Sequence, residues 1–299
     1  MIKFSFVIAT LNRPKQLQGC IDSIERAYDF KKDVDIEVLI IFQDEGDYNA
    51  NLLSRYPQLL KKYYIQQVGL SKARNFAISK SKGEIIIFLD DDAKIKEDFL
   101  NKLYKVTLDS KSDAFCGRIL EETTKNPFGG CFLEEQNRYL NRLDFRYFMG
   151  SNHILKKEII DKIGLYDEVF GAGSKYPAAE ESDLFFRMKK RNLRIAYVPE
   201  LIFYHPVTGI AAEKVYGYYQ ACGAMLVKQV SVDLNHGLIY IYIMLDIILK
   251  SFIRIIQSVF FPRTIRAKNK RYHYASVFLG IISGVIVYIT GSKLELKRP

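Results

Sequence analysis

The stretch Ile85-Ile86-Ile87-Phe88-Leu89-Asp90-Asp91-Asp92 decides the fold of this 299-residue chain. Its five consecutive apolar residues predict a buried strand. Three adjacent carboxylates repel one another and are costly to bury, so we expect them just beyond the carboxyl end of that strand. In an open α/β sheet, this edge is where ligands bind. The aspartates could form only a turn, or they could hold a divalent cation and, through it, phosphates.

Strand-like and helix-like segments alternate along residues 4–204. Apolar runs at 4–9 and 36–42 predict strands, and Pro14 suits the first turn of the helix between them. The pattern then predicts a helix at 52–62, a strand at 63–68, a helix opened by Gly69, the strand ending at Asp90, a helix at 98–106, a strand at 113–119, helices at 156–163 and 180–190, and strands at 194–198 and 201–204. This alternation is typical of βαβ units, so we predict an α/β fold with a mostly parallel sheet.

Basic charge is concentrated towards the carboxyl end. The whole chain has a net charge of +10, and residues 231–299 carry +7 of it. We therefore predict an α/β domain over residues 1–230 and a separate tail over residues 231–299. A basic tail can attract nucleic acid or anionic lipid. The apolar content of this tail favours lipid, and we expect no nucleic-acid partner.

The tail contains two apolar segments. Residues 238–261 are interrupted by polar residues that form one helical stripe, which favours an amphipathic helix lying in the membrane interface over a spanning helix. The stripe consists of Asp246, Lys250, Arg254 and Gln257. Residues 274–290 carry no charge and have Gly280 and Gly284 spaced for close helix contact. Together the two segments predict a membrane-embedded or interfacial hairpin on the cytoplasmic side. A single span by residues 274–290, or packing of both helices on the domain or on a second subunit, is the alternative.

The cellular compartment is predicted from the cysteines and the amino terminus. The four cysteines (Cys20, Cys116, Cys131 and Cys222) are scattered without zinc-ligand spacing, so we expect reduced thiols. The residues after Met1 lack the layout of a signal peptide, so the α/β domain is expected to remain cytosolic. Together with the tail, this predicts a protein on the cytoplasmic face of the cell membrane, held peripherally or monotopically.

The ordered set of motifs in this chain resembles that of the family 2 glycosyltransferases. The resemblance covers roughly residues 3–206. It rests on Phe6-Val7-Ile8-Ala9-Thr10-Leu11-Asn12-Arg13, Gln43-Asp44-Glu45-Gly46, Gly69-Leu70-Ser71-Lys72-Ala73-Arg74-Asn75, Phe88-Leu89-Asp90-Asp91-Asp92, Gly164-Leu165-Tyr166-Asp167-Glu168, Glu180-Glu181-Ser182-Asp183-Leu184 and Tyr204-His205-Pro206. It implies the GT-A fold, which is a Rossmann-like, mostly parallel sheet with helices on both faces that binds a nucleotide sugar.

The resemblance also implies a metal and donor site. Asp90 and Asp92 look like the family's DxD pair, with Asp92 as the main ligand of Mn²⁺ or Mg²⁺. His205 would complete the metal site, although a structural histidine is the alternative. The residues implied in donor binding are Thr10, Asn12, Arg13, Asp44, Arg74, Asn75, Asp90 and Asp91. The usual Asp-Asp-Gly-Ser of the base-contact motif is here Asp44-Glu45-Gly46-Asp47, and Arg74 could instead be an ordinary surface residue of a helix.

The acid pair Glu180-Glu181 resembles the family's Glu-Asp pair, whose second acid is the general base. Position assigns the base to Glu181, with Glu180 as the other candidate. Two adjacent acids can raise one another's pKa, which suits a base working near neutrality. Asn152, Glu180 and Asp183 are assigned to an acceptor or sugar pocket.

The implied function is inverting transfer of a sugar from a nucleotide-diphosphate donor to a hydroxyl of a surface-glycan or lipid-linked acceptor. Two alternatives remain at this stage. A metal-dependent nucleotidyltransferase also places carboxylates at a sheet edge but releases pyrophosphate. A non-catalytic, membrane-bound nucleotide-sugar-binding or assembly subunit is the other alternative, and a homo-oligomer is possible.

Overall fold

A computed structural model of the chain describes residues 3–43, 60–64, 67–109, 111–128, 132–207, 211–260 and 270–291. The strands are β1 (Lys3–Thr10), β2 (Asp35–Phe42), β3 (Leu60–Tyr64), β4 (Ile85–Asp90), β5 (Lys94–Ile95), β6 (Ala114–Glu121), β7 (Arg138–Tyr139), β8 (His153–Lys156) and β9 (Ile195–His205). The helices are α1 (Pro14–Phe30), α2 (Leu70–Lys80), α3 (Phe99–Asp109), α4 (Ile160–Ile163), α5 (Glu180–Lys190), α6 (Ala212–Val232), α7 (Gly237–Phe260) and α8 (Lys270–Thr290).

The chain divides into two compact units. The first comprises Met1–Tyr166 and Leu184–Val207, and the second comprises Asp167–Asp183 and Thr208–Pro299. The predicted domain boundary at residue 230 therefore falls inside α6, which belongs to the second unit. Helix α5 begins in the second unit and continues in the first.

Within the described residues, one nine-stranded sheet forms the first unit, in the order β3-β2-β1-β4-β8-β6-β9-β5, with β7 paired to β9. Strands β3, β2, β1 and β4 are parallel, as the alternating pattern predicts. The apolar run of β4 lies in the interior: Ile86, Ile87 and Phe88 have no exposed surface. The register pairs Ala9 with Asp90 and Thr10 with Phe42, so β1, β2 and β4 end at the same level.

The predicted helix at 156–163 is shorter than expected, and a strand that the sequence pattern does not predict precedes it. Residues His153–Lys156 form β8, which lies antiparallel between β4 and β6. Only a 3₁₀ turn at Lys157–Ile159 and the single turn of α4 are helical. Ile154 and Leu155 are fully buried, so pairing on both edges overrides the local preference of this short segment.

Two other boundaries differ from the prediction. The helix predicted at 52–62 lies largely outside the described residues. The strand predicted at 63–68 is present as β3 but begins earlier, at Leu60, so residues 60–62 are not helical. The two strands predicted at 194–198 and 201–204 are one strand, β9, whose pairing with β6 shifts register after Gly117. A Cβ atom on Gly117 would collide with the carbonyl oxygen of Leu201, so the irregularity requires glycine there.

The second unit is built on helices α6, α7 and α8. Gly280 and Gly284 of α8 lie against the backbone of α6. The approach requires glycine, since a Cβ atom on Gly284 would collide with the carbonyl oxygen of Gln220. Gly223 of α6 approaches the backbone of Ile281 in the same way. The predicted role of the two α8 glycines in close helix packing is confirmed.

Helix α7 buries one side and exposes another. Its buried residues include Tyr240, Ile243 and Ile247, and its Asp246 and Lys250 form an exposed ion pair of 2.8 Å. Its exposed large apolar residues are Leu238, Tyr242, Leu245, Leu249, Phe252, Ile253, Ile256, Val259 and Phe260.

In the part of the chain that the structure describes, one segment, Tyr272–Thr290 of α8, is long and apolar enough to cross a membrane.

Candidate active site

The aspartate triplet lies at the carboxyl end of the parallel strands, as predicted. Asp90 is the last residue of β4, and a turn follows in which the amide of Ala93 donates to the carbonyl oxygen of Asp90 at 3.0 Å. Asp90 is bound by Arg74, whereas Asp91 and Asp92 share Arg13 as a partner.

Asp90 is bound by a buried arginine. The Nη2 atom of Arg74 donates to Oδ1 of Asp90 at 3.1 Å and to the carbonyl oxygen of Gly150 at 2.9 Å. The Arg74 side chain is 2% exposed, and its guanidinium lies 5.9 Å from the ring centre of Phe88 and 5.6 Å from that of Tyr166. A buried cation requires such partners. Arg74 therefore holds Asp90 in place and is not the surface residue considered as an alternative.

A second layer of side chains supports Arg74. Asn75 forms two hydrogen bonds with the backbone of Tyr166: its Nδ2 donates to the carbonyl oxygen at 3.0 Å, and its Oδ1 accepts from the amide at 2.9 Å. His153 stacks on Phe88 with a centroid distance of 4.6 Å. The two bonds from Asn75 position Tyr166, whose ring covers Arg74.

The tautomer of His153 follows from its hydrogen bonds. Its Nδ1 atom lies 2.7 Å from the carbonyl oxygen of Met149, which can only accept, so Nδ1 carries the proton. Its Nε2 atom then accepts from the hydroxyl of Tyr166. Burial, reinforced by the positive charge of Arg74, places the pKa of His153 well below its usual value of 6.5. The imidazole is neutral in the folded protein.

Asp91 connects β4 to the end of β1. Its Oδ2 accepts from the Thr10 hydroxyl at 2.8 Å, and its Oδ1 accepts from Arg13 at 2.9 Å. Burial raises the pKa of Asp91, while the bonds from Thr10 and Arg13 act in the opposite direction. Asn12 adopts a φ of +51°, which Asn tolerates, and the following Arg13 turns back towards the aspartates. The structure therefore brings Thr10, Arg13 and Asp91 together.

Asp92 lies between a cation and an imidazole. Its Oδ2 accepts from Arg13 at 3.0 Å, and its Oδ1 lies 3.4 Å from Nε2 of His205, the last residue of β9. One potential ligand atom from each of Asp90, Asp92 and His205 lies within 4.8 Å of the others, and all three residues are partly exposed. Two carboxylates and one imidazole that face solvent fit a divalent cation.

The remaining candidate residues occupy different surroundings. Asn152 is fully buried: its Nδ2 donates to the carbonyl oxygens of Gly117 and Tyr147, and its Oδ1 accepts from the amide of Met149. These bonds fold the turn before β8 and leave no surface of Asn152 for a ligand. Asp44 lies outside the described residues.

The acidic candidates of the second unit lie in the first turn of α5. Negative charge is stabilised at this end of a helix. Glu180 is 4% exposed and Glu181 is half-buried. Asp183 has no exposed surface, and its Oδ1 accepts from Lys228 at 2.6 Å and from Gln229 at 2.8 Å.

The sequence pattern does not reveal the residues that support Arg74. It assigns no role to His153 or Gly150, and Tyr166 enters only as part of a motif. One signal is available: an arginine in a helix that packs on a central strand must be bound by a carboxylate if it is buried. Which aromatic residues surround it depends on β8, which the pattern does not predict.

Comparison with known proteins identifies the class to which this fold and site belong. Residues 5–164, more than half of the chain, match the profile of Glycosyl transferase family 2. The chain belongs to this family, as the order of its motifs suggested.

Two curated relatives illustrate the similarity. The poly(ribitol-phosphate) beta-glucosyltransferase of Bacillus spizizenii is 24% identical over 229 residues, which cover 68% of this chain and 35% of that protein. The GalNAc(5)-diNAcBac-PP-undecaprenol beta-1,3-glucosyltransferase of Campylobacter jejuni is 24% identical over 183 residues, 57% of each chain. This chain therefore matches only about a third of the length of the Bacillus protein.

Solved structures share the fold. Staphylococcus aureus TarS 1–349 in complex with UDP-GlcNAc superposes with a TM-score of 0.63 at 16% identity, covering 98% of this chain and 93% of that one. The mannosyltransferase PcManGT of Pyrobaculum calidifontis, in complex with GDP-Man and Mn²⁺, superposes with a TM-score of 0.62 at 13% identity, covering 97% and 88%. The predicted GT-A fold is confirmed.

The neutral, buried state of His153 predicts a pH-dependent stability. Below about pH 6.5 the unfolded chain binds a proton at this residue that the folded protein does not bind. The free energy of unfolding should therefore fall by about 1.4 kcal/mol per pH unit as the pH decreases below 6.5. His153→Gln, which retains an N–H donor but does not titrate, should reduce this slope in urea unfolding measured from pH 7.5 to 5. An unchanged slope would contradict the assigned protonation state.

Proposed function

We propose that this protein is an inverting glycosyltransferase that moves a sugar from a nucleotide-diphosphate donor to an acceptor hydroxyl. The observation that carries the proposal is the group of Asp90, Asp92 and His205 at the ligand-binding edge of a family 2 domain. The poly(ribitol-phosphate) and undecaprenol-linked acceptors in the names of relatives support a glycan or lipid-linked acceptor.

Asp90, Asp92 and His205 would hold the divalent cation. The imidazole favours Mn²⁺ over Mg²⁺, which prefers oxygen ligands alone. When bound, such a cation supplies neutralisation of the negative charge that develops on the departing diphosphate. The protein's own contribution is orientation. Arg74 keeps Asp90 in position, and Arg13 leaves Oδ1 of Asp92 facing His205.

Donor binding is assigned to the end of β1 and the residues after it. Arg13 has direct access to solvent, because its side chain is 45% exposed while it bonds Asp91 and Asp92. Asp91, itself bonded by Thr10, fixes the orientation of Arg13. Arg74 acts on the donor indirectly, by holding Asp90, and Asn75 acts indirectly, by holding Tyr166. Asn12 and Asp44 complete the proposed donor site. The nucleotides bound by TarS and PcManGT support a UDP- or GDP-sugar.

Glu181 is proposed as the general base of a single displacement. The acceptor O–H proton passes to its carboxylate as the acceptor oxygen bonds to the anomeric carbon. In the same step the bond from that carbon to the diphosphate oxygen breaks, and its electron pair leaves with the nucleoside diphosphate. Glu180, the adjacent acid, is the alternative candidate for the base. No covalent enzyme intermediate is required.

Asp92→Asn should remove a charged ligand and impair metal binding. We expect Mn²⁺ affinity, measured by electron paramagnetic resonance in the presence of UDP, to fall by at least about 10-fold, because a neutral amide oxygen replaces a charged ligand. Release of UDP or GDP from a panel of UDP-GlcNAc, UDP-glucose and GDP-mannose should fall at least as much.

The matched control for Asp92→Asn is Asp161→Asn, the same change at an exposed position of α4 outside the cluster. Asp161→Asn should retain wild-type Mn²⁺ affinity and nucleotide release. Unchanged Mn²⁺ affinity in Asp92→Asn would refute the metal assignment. Release of pyrophosphate by the wild-type protein would indicate a nucleotidyltransferase instead.

Glu181→Gln should preserve binding and abolish turnover. The amide cannot accept the acceptor's proton, so kcat should fall by about 100-fold or more, while the affinity for UDP and Mn²⁺ stays within twofold. Glu200→Gln, the same change at an exposed position of β9, should behave as wild type. A normal kcat in Glu181→Gln would move the base to another residue, first to Glu180.

We also propose that the second unit binds the cytoplasmic face of a membrane. The support is the exposed apolar side of α7 together with the apolar length of α8. Burial of such side chains in the acyl region gains about 25 cal/mol per Å² of apolar surface, and the basic residues between the two helices would attract anionic lipid.

The membrane proposal predicts flotation with lipid vesicles. The full-length protein should float with vesicles that contain phosphatidylglycerol, and Leu249→Glu on the exposed side of α7 should weaken flotation several-fold. Leu133→Glu, at an exposed leucine of the first unit, is the matched control and should float like wild type. A protein that stays in the soluble fraction with every vesicle composition would contradict the proposal.

A further inference from the structure

We propose that Lys228 and Gln229 of α6 are positioning residues for the first turn of α5, which carries Glu181. The C-terminal helices would then be part of the catalytic apparatus and not a detachable membrane anchor. The inference rests on the proposed role of Glu181. It concerns contacts made within the second unit, to which Asp167–Asp183 and α6 both belong.

Lys228 bridges one carboxylate in the first turn of α5 and one in the segment that leads into that helix. Its Nζ atom lies 2.6 Å from Oδ1 of Asp183 and 2.8 Å from Oδ2 of Asp167. The Lys228 side chain is only 16% exposed, and Asp183 is not exposed at all. Loss of Lys228 would leave the charge of buried Asp183 without its cation, so this contact is strongly favoured in the folded protein.

Gln229 adds a neutral donor to the same oxygen. Its Nε2 atom donates to Oδ1 of Asp183 at 2.8 Å, and the Gln229 side chain is fully buried. Two consecutive residues of α6 thus converge on one carboxylate oxygen. Asp183 is two residues beyond Glu181 in the same helical turn, so fixing Asp183 fixes the direction in which that turn begins.

The backbone immediately before α5 is strained. Ala179 has a φ of +71°, which non-glycine residues rarely adopt, and its carbonyl oxygen accepts from the amide of Asp183 at 2.9 Å. Such a conformation persists only where surrounding contacts determine it, and it occurs preferentially at functional sites. The bonds from Lys228 and Gln229 to Asp183 are contacts of this kind.

The segment before α5 also packs against helices α6 and α8. Lys228 lies 5.4 Å from the ring centre of Phe170, which stacks on Tyr176, and Tyr176 contacts Tyr288 of α8. A Cβ atom on Gly217 of α6 would lie 3.0 Å from Pro177, so the segment passes closer to α6 than most side chains would permit. The helices therefore shape the whole approach to Glu181.

The test compares turnover with binding in Lys228→Met. With the panel donor that the wild type hydrolyses or transfers fastest, kcat should fall by about 10- to 100-fold, the range expected for a displaced catalytic group. The affinity for UDP and Mn²⁺ should stay within twofold, because the donor site lies in residues that the substitution does not touch. Lys228→Arg should restore part of the lost kcat.

Three further variants separate positioning from folding. Lys214→Met, the same change at an exposed position of α6, should retain wild-type kcat. Gln229→Met removes one of the two donors to Asp183 and should give a smaller loss of kcat than Lys228→Met. It provides the test if Lys228→Met does not fold. Lys228→Met in the Glu181→Gln background should cause no further loss, because residues that act through one group are not additive.

The outcomes distinguish this inference from the proposed function. Wild-type kcat in Lys228→Met, alongside an inactive Glu181→Gln, would overturn the inference and leave the function intact. A parallel loss of kcat and UDP affinity, or an additional loss in the Glu181→Gln background, would show a purely structural role and would also overturn it. A wild-type protein that releases no nucleoside diphosphate, or a fully active Glu181→Gln, would overturn the proposed function itself.

Discussion

The site depends on how the chain accommodates three adjacent carboxylates at the end of a buried strand. Asp90, Asp91 and Asp92 would repel one another, and hydrogen-bond donors and two arginines offset this repulsion. Buried Arg74 bonds Asp90, Thr10 and Arg13 bond Asp91, and Arg13 and His205 flank Asp92. Because Arg74 and Asp91 are themselves buried, the geometry of the exposed oxygens is determined by the interior of the domain. The two carboxylates and the imidazole that face solvent, those of Asp90, Asp92 and His205, are therefore held by the folded domain.

Long apolar runs made much of the first unit predictable. The strands around residues 4–9, 36–42 and 85–90 are buried on both faces, so hydrophobicity alone identifies them, and Pro14 marks the start of α1 correctly. The prediction failed where partners distant in sequence decide the structure. His153–Lys156 is too short to show a period and becomes a strand only because β4 and β6 pair with both of its edges. The register shift between β6 and β9 similarly joins two predicted strands into one.

The same distinction applies to the site. Its location at the sheet edge, and the joint presence of Asp90, Asp92 and His205, followed from motif order. Whether a motif residue faces solvent or the interior could not be read from the motif. The motif order predicts Asn152 and Asp183 in a pocket, but hydrogen-bond partners surround both side chains. Asn152 folds the turn before β8, and Asp183 is bound by Lys228 and Gln229 of α6. Likewise, the division at residue 230 followed a change in composition, whereas α6 belongs with residues 167–183, to which Lys228 and Gln229 bond.

The central claim is that Asp90, Asp92 and His205 jointly bind the cation that accompanies the donor. The most direct measurement is an anomalous-scattering map, recorded near the manganese absorption edge, from crystals soaked with UDP and Mn²⁺. The account predicts one manganese peak within about 2.5 Å of an oxygen of each aspartate and of the imidazole of His205, in contact with the diphosphate. A map that shows UDP bound at this edge without manganese, or manganese bound to other residues, would contradict it.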